Sequence, residues 1–275
     1  MIKKNNLTFS TKRKIFLNRF GEHNSIFSGN GLEFEELREY VSGDDVRHIN
    51  AKVTAKTRVA HVNVFNEDKR LNILSVFLNS DGIYFGSKRS KQDTMAEILG
   101  NLCWASSHKQ DLMSVLFYSE FEQLFVKPTK DKQALWHTVE TALDLNPLGN
   151  RIEYDKLSQY LLQKIKKKSI IFLIGDFLDY GDFRLLGAKH EVFAIIVRDR
   201  LEEDIAFVGE VNLKSTNNKA SGFFKINSKL KNQYALKMKQ HDDKLYKNLI
   251  ASNIRYQKIY TSDDVVKKLQ KLLRN

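Results

Sequence analysis

Residues 169–176 read SIIFLIGD, a run of apolar residues that closes on a glycine and an acid. A strand with one wet face alternates apolar and polar positions, whereas this run is apolar at odd and even positions alike. Both of its faces therefore meet core, which places it at the centre of a mainly parallel sheet. VFAIIV at 192–197 has the same character. Working outward, further strands are expected at 71–78 (LNILSVFL), 112–118 (LMSVLFY), 122–127 (EQLFVK) and 254–260 (IRYQKIY). Segments of helical period lie between them: Met95, Leu99, Leu102 and Cys103, then Leu135, Val139, Ala142 and Leu143, then Leu157, Leu161 and Ile165. Strands alternating with one-faced helices are the signature of crossover units.

A longer helix at about 229–250 carries Leu230, Tyr234, Met238, His241, Leu245 and Leu249 on one stripe, with His241 expected as a boundary packing residue. The last helix begins at TSDDVVKKL, with Ser262 or Asp263 as its cap. Pro128 and Pro147 are expected at turns. Residues 1–68 differ in character: a basic start, loops punctuated by glycine (FSGNGLEF, VSGDDV) and a strand at TRVAHVNVF predict a small β-rich extension against the sheet's edge. The domains are thus an extension at 1–68 and an α/β unit at 69–275.

The chain's 275 residues, 42% of them apolar, are enough for a full core. No stretch approaches the roughly 18 apolar residues of a membrane span, and MIKKNNLTFSTKRK has no signal-peptide core, so a cytoplasmic location is expected. The lone Cys103 reads as a small buried hydrophobe. A formal charge of +12 raises a nucleic-acid or anionic-membrane reading. The basic residues nevertheless fall in short clusters, at Lys12 to Lys14, Lys164 to Lys168, Lys229 to Lys239 and Lys267 to Lys271, mostly on polar helix faces. A basic nucleic-acid-associated protein is kept as the alternative.

Ligands of open parallel sheets bind beyond the carboxyl ends of the strands, so the loops that matter are LNSDG (78–82) and GDFLD (175–179). GIYFGSK, Gly82 to Lys88, is like a phosphate-binding loop, yet its glycines are one residue too close and Ile83, Tyr84 and Phe85 are bulky where bare backbone should wrap phosphate. A divergent P-loop-like NTPase ranks last. The seven histidines form no zinc motif, His137 and Glu140 share one helix face as surface decoration, and no nucleophile elbow occurs. No catalytic residue is assigned, and the chain is expected not to be an enzyme. In EFEELREYVSGDDVRHIN, Asp44 and Asp45 suit a helix cap, and Arg38 and Arg47 can pair with them bidentately. Glu33, Arg38, Tyr40, Gly43, Asp44, Asp45 and Arg47 form a block that is structural, with partner docking as the second reading.

The block from Glu33 to Ile49, together with FGSKRSKQDTMAEILGNLCWAS and KKSIIFLIGDFLDY, resembles the bacterial family called domain of unknown function 58. The resemblance implies a von Willebrand A-like fold and association with MoxR-type AAA+ ATPases. Members with a complete metal site carry Asp-x-Ser-x-Ser after the first strand, a Thr from a middle loop and an Asp after the fourth strand. In register with that pattern stand Leu78, Ser80, Gly82, Ile152 and Asp176, so two oxygen donors of five remain. Magnesium demands near-octahedral oxygens; no cofactor is therefore expected, Ser80 and Asp176 being the residual candidates. This chain also has Asn50 and Ala51 where the family commonly has an Asp and a Trp. The resemblance implies a cytoplasmic adaptor, with peripheral contact at the inner membrane, that captures partner or client proteins without metal. The rim that captures them is Ser80, Asp81, Gly82, Ile152, Glu153, Asp176 and Asp179.

Overall fold

In the computed structural model the described residues are 33–66, 71–205, 209–214 and 221–274. A six-stranded sheet forms the centre. Its strands are β3 (Asn72–Leu78), β4 (Leu112–Tyr118), β5 (Glu122–Thr129), β6 (Ile170–Gly175), β7 (Glu191–Arg198) and β10 (Arg255–Tyr260). They lie in the order β5-β4-β3-β6-β7-β10, all parallel except β5. The chain enters at the middle, builds two strands to one side and then returns to build three on the other. The order reverses between β3 and β6, and beyond their carboxyl ends lies the crevice where α/β sheets hold ligands.

The two-faced strands explain the layering. Ile73, Phe77, Phe172, Ile174, Phe193, Ile195 and Val197 bury against α2 (Lys91–Lys109), α3 (Lys132–Asp144) and α8 (Val265–Arg274). The alternate residues Leu74, Val76, Leu78, Ile171, Leu173, Ala194 and Ile196 bury with α4 (Tyr154–Lys164), α5 (Arg184–Lys189) and α7 (Ser228–Ala251). Each Val, Leu, Ile or Phe among them contributes roughly 1.5–3 kcal/mol, so the central strands hold both helix layers. α2 starts at a capping box formed by Ser90 and Asp93. On the second face, Gly187 of α5 permits the approach of α7: a Cβ there would lie 1.8 Å from the Ser252 carbonyl oxygen.

Several expectations need correction. Pro128 lies inside β5, not at a turn; β5 is an edge strand, and Pro128 falls where its register with β4 shifts between Val126 and Thr129, as a residue without an amide proton requires. The cap of α8 is neither Ser262 nor Asp263: Asp264 Oδ1 accepts from the Lys267 amide at 3.2 Å, while Asp263 turns back to accept from the Tyr260 amide at 3.1 Å. The stripe of α7 is buried only in its second half, at Asp242, Leu245 and Leu249; Leu230, Tyr234 and Leu236 are exposed. The extension holds strands β1 (Glu33–Glu39) and β2 (His61–Asn66), paired antiparallel as a separate sheet, and also a helix, α1 (Ala51–Thr57), that periodicity did not reveal. Residues 1–32 and 67–70, including the basic start and the expected boundary at 68, lie outside the described residues. The hairpin β8 (Gly209–Lys214) and β9 (Ser221–Ile226), and the short α5 and α6 (Arg200–Glu203), were also not anticipated.

Substituting Gly187→Ala should lower stability by about 1–3 kcal/mol, because the added methyl meets backbone. A denaturant midpoint equal to that of the parent chain would show that α5 and α7 do not pack this closely.

Candidate functional site

At the crevice the loop after β3 folds into a single 3₁₀ turn, Asp81–Tyr84, followed by the start of α2. The Asp81 amide donates to the Asn150 carbonyl at 3.0 Å, which ties this loop to the one before α4. Ser80 is buried, and its Oγ has no hydrogen-bond partner among the described residues. Gly82 backs directly onto Asp176: a Cβ at Gly82 would lie 2.2 Å from Asp176 Oδ2. The structure therefore brings Gly82 and Asp176 together. It does not gather the rest into one set of donors. Ile152, at the position of the expected middle-loop donor, is part of the second core layer. Glu153 is turned to Lys156, 2.8 Å away, and Asp179 is exposed and accepts from the Tyr180 amide. Leu78, at the family's leading acid position, is fully buried and packs on Gly175.

The group facing Asp176 is a lysine. Lys91, the first residue of α2, is 0% exposed, and its Nζ lies 3.5 Å from Asp176 Oδ2 and 2.5 Å from Glu202 Oε1. Asp176 is followed by Phe177, whose φ of 48° is left-handed, a conformation that is costly for a bulky residue. Its carbonyl accepts from Arg198 Nη2 at 3.0 Å and contacts His241 Nε2 at 3.0 Å, while its ring stacks on Tyr154 with centroids 5.5 Å apart. His241 thus packs half-buried, beside the Tyr180 ring, and also helps hold this backbone. Burial first, and then the nearby Asp176 charge, push the Tyr154 phenol well above its ordinary range.

From here a network of charges crosses the carboxyl ends of β7 and β10. Asp199 Oδ2 accepts from the Ser87 amide (2.9 Å), Ser87 Oγ (2.9 Å) and Thr261 Oγ1 (2.7 Å), and Oδ1 accepts from the Leu201 amide (3.0 Å). Burial alone would raise this carboxyl's pKa, but the Ser87, Thr261 and Leu201 donors outweigh it and hold the group below the ordinary 3.8. Arg198, fully buried, reaches Asp242 of α7 at 3.3 Å. Asp242 also pairs with Lys258, which bonds Glu203 at 2.6 Å, and Glu203 accepts from the Tyr260 hydroxyl at 2.7 Å. Burial lowers the Lys258 pKa, yet the Asp242 and Glu203 bonds more than reverse this and leave it raised.

Lys91, Arg198, Asp199, Glu202, Glu203, Asp242 and Lys258 were all missed in the sequence. The signal that could have found four of them is VRDRLEED at 197–204: a dense charge run directly after a strand apolar on both faces cannot all be solvated.

In the block of the extension both expected ion pairs form, but of the two acids Asp45 caps a helix and Asp44 does not. Arg38 grips Asp44 with two parallel bonds of 2.8 Å, and the Asp44 carboxylate also accepts from the Val41 amide; the Arg38 bond is the largest cause holding its pKa down. Arg47 forks onto Asp45, which caps the 3₁₀ turn Val46–His48. Gly43 has φ 112°, and the Tyr40 amide bonds the Ala60 carbonyl. Glu33 lies in β1, its side chain outside the described set. Asn50 accepts from the Val53 amide as the cap of α1 and donates to Asn63. His137 and Glu140 form an exposed pair 3.2 Å apart.

Residues 36–244 match the family described as Protein of unknown function DUF58. Uncharacterized proteins of Mycobacterium bovis and Mycobacterium tuberculosis are each 26% identical over 237 residues, spanning 83% of this chain and 74% of theirs. Among solved structures, the conserved hypothetical protein BatB of Bacteroides thetaiotaomicron is 10% identical with a TM-score of 0.46, the match covering 74% of this chain and 97% of that one. An aerotolerance-related membrane protein of Bacteroides fragilis is 11% identical with a TM-score of 0.47, covering 74% and 98%.

Two outcomes follow from the geometry. Phe177→Gly should be at least as stable as Phe177→Ala, because relief of the left-handed backbone is worth about 1–2 kcal/mol and offsets glycine's usual deficit; an alanine variant clearly more stable by urea denaturation would contradict the strain. Asp199 has a folded pKa below its unfolded value, so its contribution is complete above about pH 3.8 and is lost as pH falls further. The stability gap between the parent chain and Asp199→Asn should accordingly narrow between about pH 4 and pH 2, and a gap that stays constant over that range refutes the assignment.

Proposed function

The chain belongs to the DUF58 family, and from that premise we propose that it is a non-enzymatic binding module that captures a protein partner at the carboxyl-end rim of its sheet. The observation that carries this reading is the rim itself. Tyr84 and Phe85 after β3 and Leu178 after β6 are 59%, 43% and 43% exposed, and Leu178 lies against the same Gly82 that backs onto Asp176. Large apolar side chains displayed at the place where α/β sheets bind their ligands suit a protein surface better than a small polar substrate. Lys91 supports a capture that needs no metal, since its ammonium already faces Asp176.

The order β5-β4-β3-β6-β7-β10, with one antiparallel edge strand, favours reading the domain as von Willebrand A-like. On that reading Asp81, Gly82, Glu153 and Asp179 lie on the docking surface, and the buried Ser80, Ile152 and Asp176 support it from beneath. The resemblance makes the partner a MoxR-type AAA+ ATPase, and the role one of assembling, maturing or remodelling client proteins. No helix among the described residues is long and apolar enough to cross a membrane; the reading places the module in the cytoplasm, with contact at the inner membrane through its partners.

The test is calorimetric titration against the MoxR-type ATPase of the same organism, with and without EDTA. Affinity should change by less than about twofold on chelation and fall by roughly tenfold or more in a Phe85→Ser, Leu178→Ser variant, as expected when apolar anchors are truncated. Loss of binding on chelation sinks the metal-independent reading. Absence of binding, together with steeply salt-dependent binding to DNA, would assign the basic surface to nucleic acid instead.

A further inference from the structure

Lys91 is an unexpected residue at its position. It opens α2, where the positive end of the helix dipole disfavours a cation, and its ammonium is wholly removed from water, which is tolerated only with close opposite charge. The helix start is fixed independently by the Ser90–Asp93 capping box, so helix formation does not call for a lysine here. What calls for it is tertiary. Asp176 arrives from the end of β6 and Glu202 from α6, beyond the end of β7. Glu202 is itself held in place, with Oε2 accepting from the Asp199 amide at 3.0 Å while Oε1 takes the ammonium. Asp176 fits only because Gly82 has no side chain.

We infer that Asp176 and Glu202 form a monocation site specific for a primary ammonium, that the chain fills this site with its own Lys91, and that the site takes an alkylammonium from solution once that side chain is removed. Three N–H donors on one nitrogen suit two converging carboxylates, whereas a magnesium ion needs about six oxygens in a near-octahedral shell. The inference holds whether or not the rim captures a protein. It identifies the ion that fastens the loop after β3 to the ends of β6 and β7 as a covalently tethered one.

The substitution Lys91→Ala removes the atoms of n-propylammonium, which makes that ion the probe. In thermal unfolding of the full chain, Lys91→Ala should melt roughly 10 °C below the parent, as for a buried ion pair that has lost one partner. Millimolar n-propylammonium should then raise the variant's Tm by several degrees in a dose-dependent way, while tetramethylammonium, which has no N–H, does not, and the parent responds to neither. Equal responses to the two ions, or a variant as stable as the parent, would overturn the assignment. Should Lys91→Ala not fold, Lys91→Met is compared alone and combined with Asp176→Asn and Glu202→Gln. Neutralising both acids should restore at least half of the lost Tm, and a triple variant no more stable than Lys91→Met overturns the inference equally.

Discussion

Strands buried on both faces leave nowhere for polar chemistry except their ends, and this constraint organises the rest of the molecule. The two-residue alternation of β7 continues past the last apolar position. Phe193, Ile195 and Val197 bury toward α2, α3 and α8, and Asp199, next in that series, bonds Ser87 and Thr261. Ala194 and Ile196 bury with α7, and Arg198, next in the other series, reaches Asp242 of α7 and the Phe177 carbonyl. One strand register thus decides which of two charged residues serves each layer.

The same economy appears in α6. Its consecutive acids separate onto two lysines from different elements, Glu202 onto Lys91 of α2 and Glu203 onto Lys258 of β10. Buried ion pairs such as Lys91 with Glu202 seldom add much net stability over well-packed apolar residues, but losing one partner is severe. They are therefore best understood as fixing arrangement. Next to them, Arg198 and His241 contact the carbonyl of Phe177 in its left-handed backbone, and Leu178 follows beside Gly82 at the rim.

How much of this was legible depends on which physical signal each residue carries. SIIFLIG and VFAIIV announced β6 and β7 because two-sided burial writes itself as an unbroken apolar run, and all six sheet strands were located within a few residues of their observed ends. The pairing of Arg38 with Asp44 and of Arg47 with Asp45 was readable because the partners are close in sequence. Lys91 was not. A lysine at a helix start looks solvated, and the acids that bury it lie 85 and 111 residues away. The β8–β9 hairpin escaped because GEVNLK and SGFFKI are short and of mixed polarity, and the stripe of α7 misled because regular spacing of apolar residues does not say where the neighbouring layer stops.

Pro128 has a significance beyond its own strand. β5 closes one side of the six-stranded sheet, and an open strand edge is a ready template for another chain's backbone. The proline, standing exposed where the register with β4 shifts and preceded by Lys127, interrupts the regular course of that edge and places charge beside the gap. The β5 side of the sheet thereby carries its own guard against growing by strand addition into fibrillar aggregates.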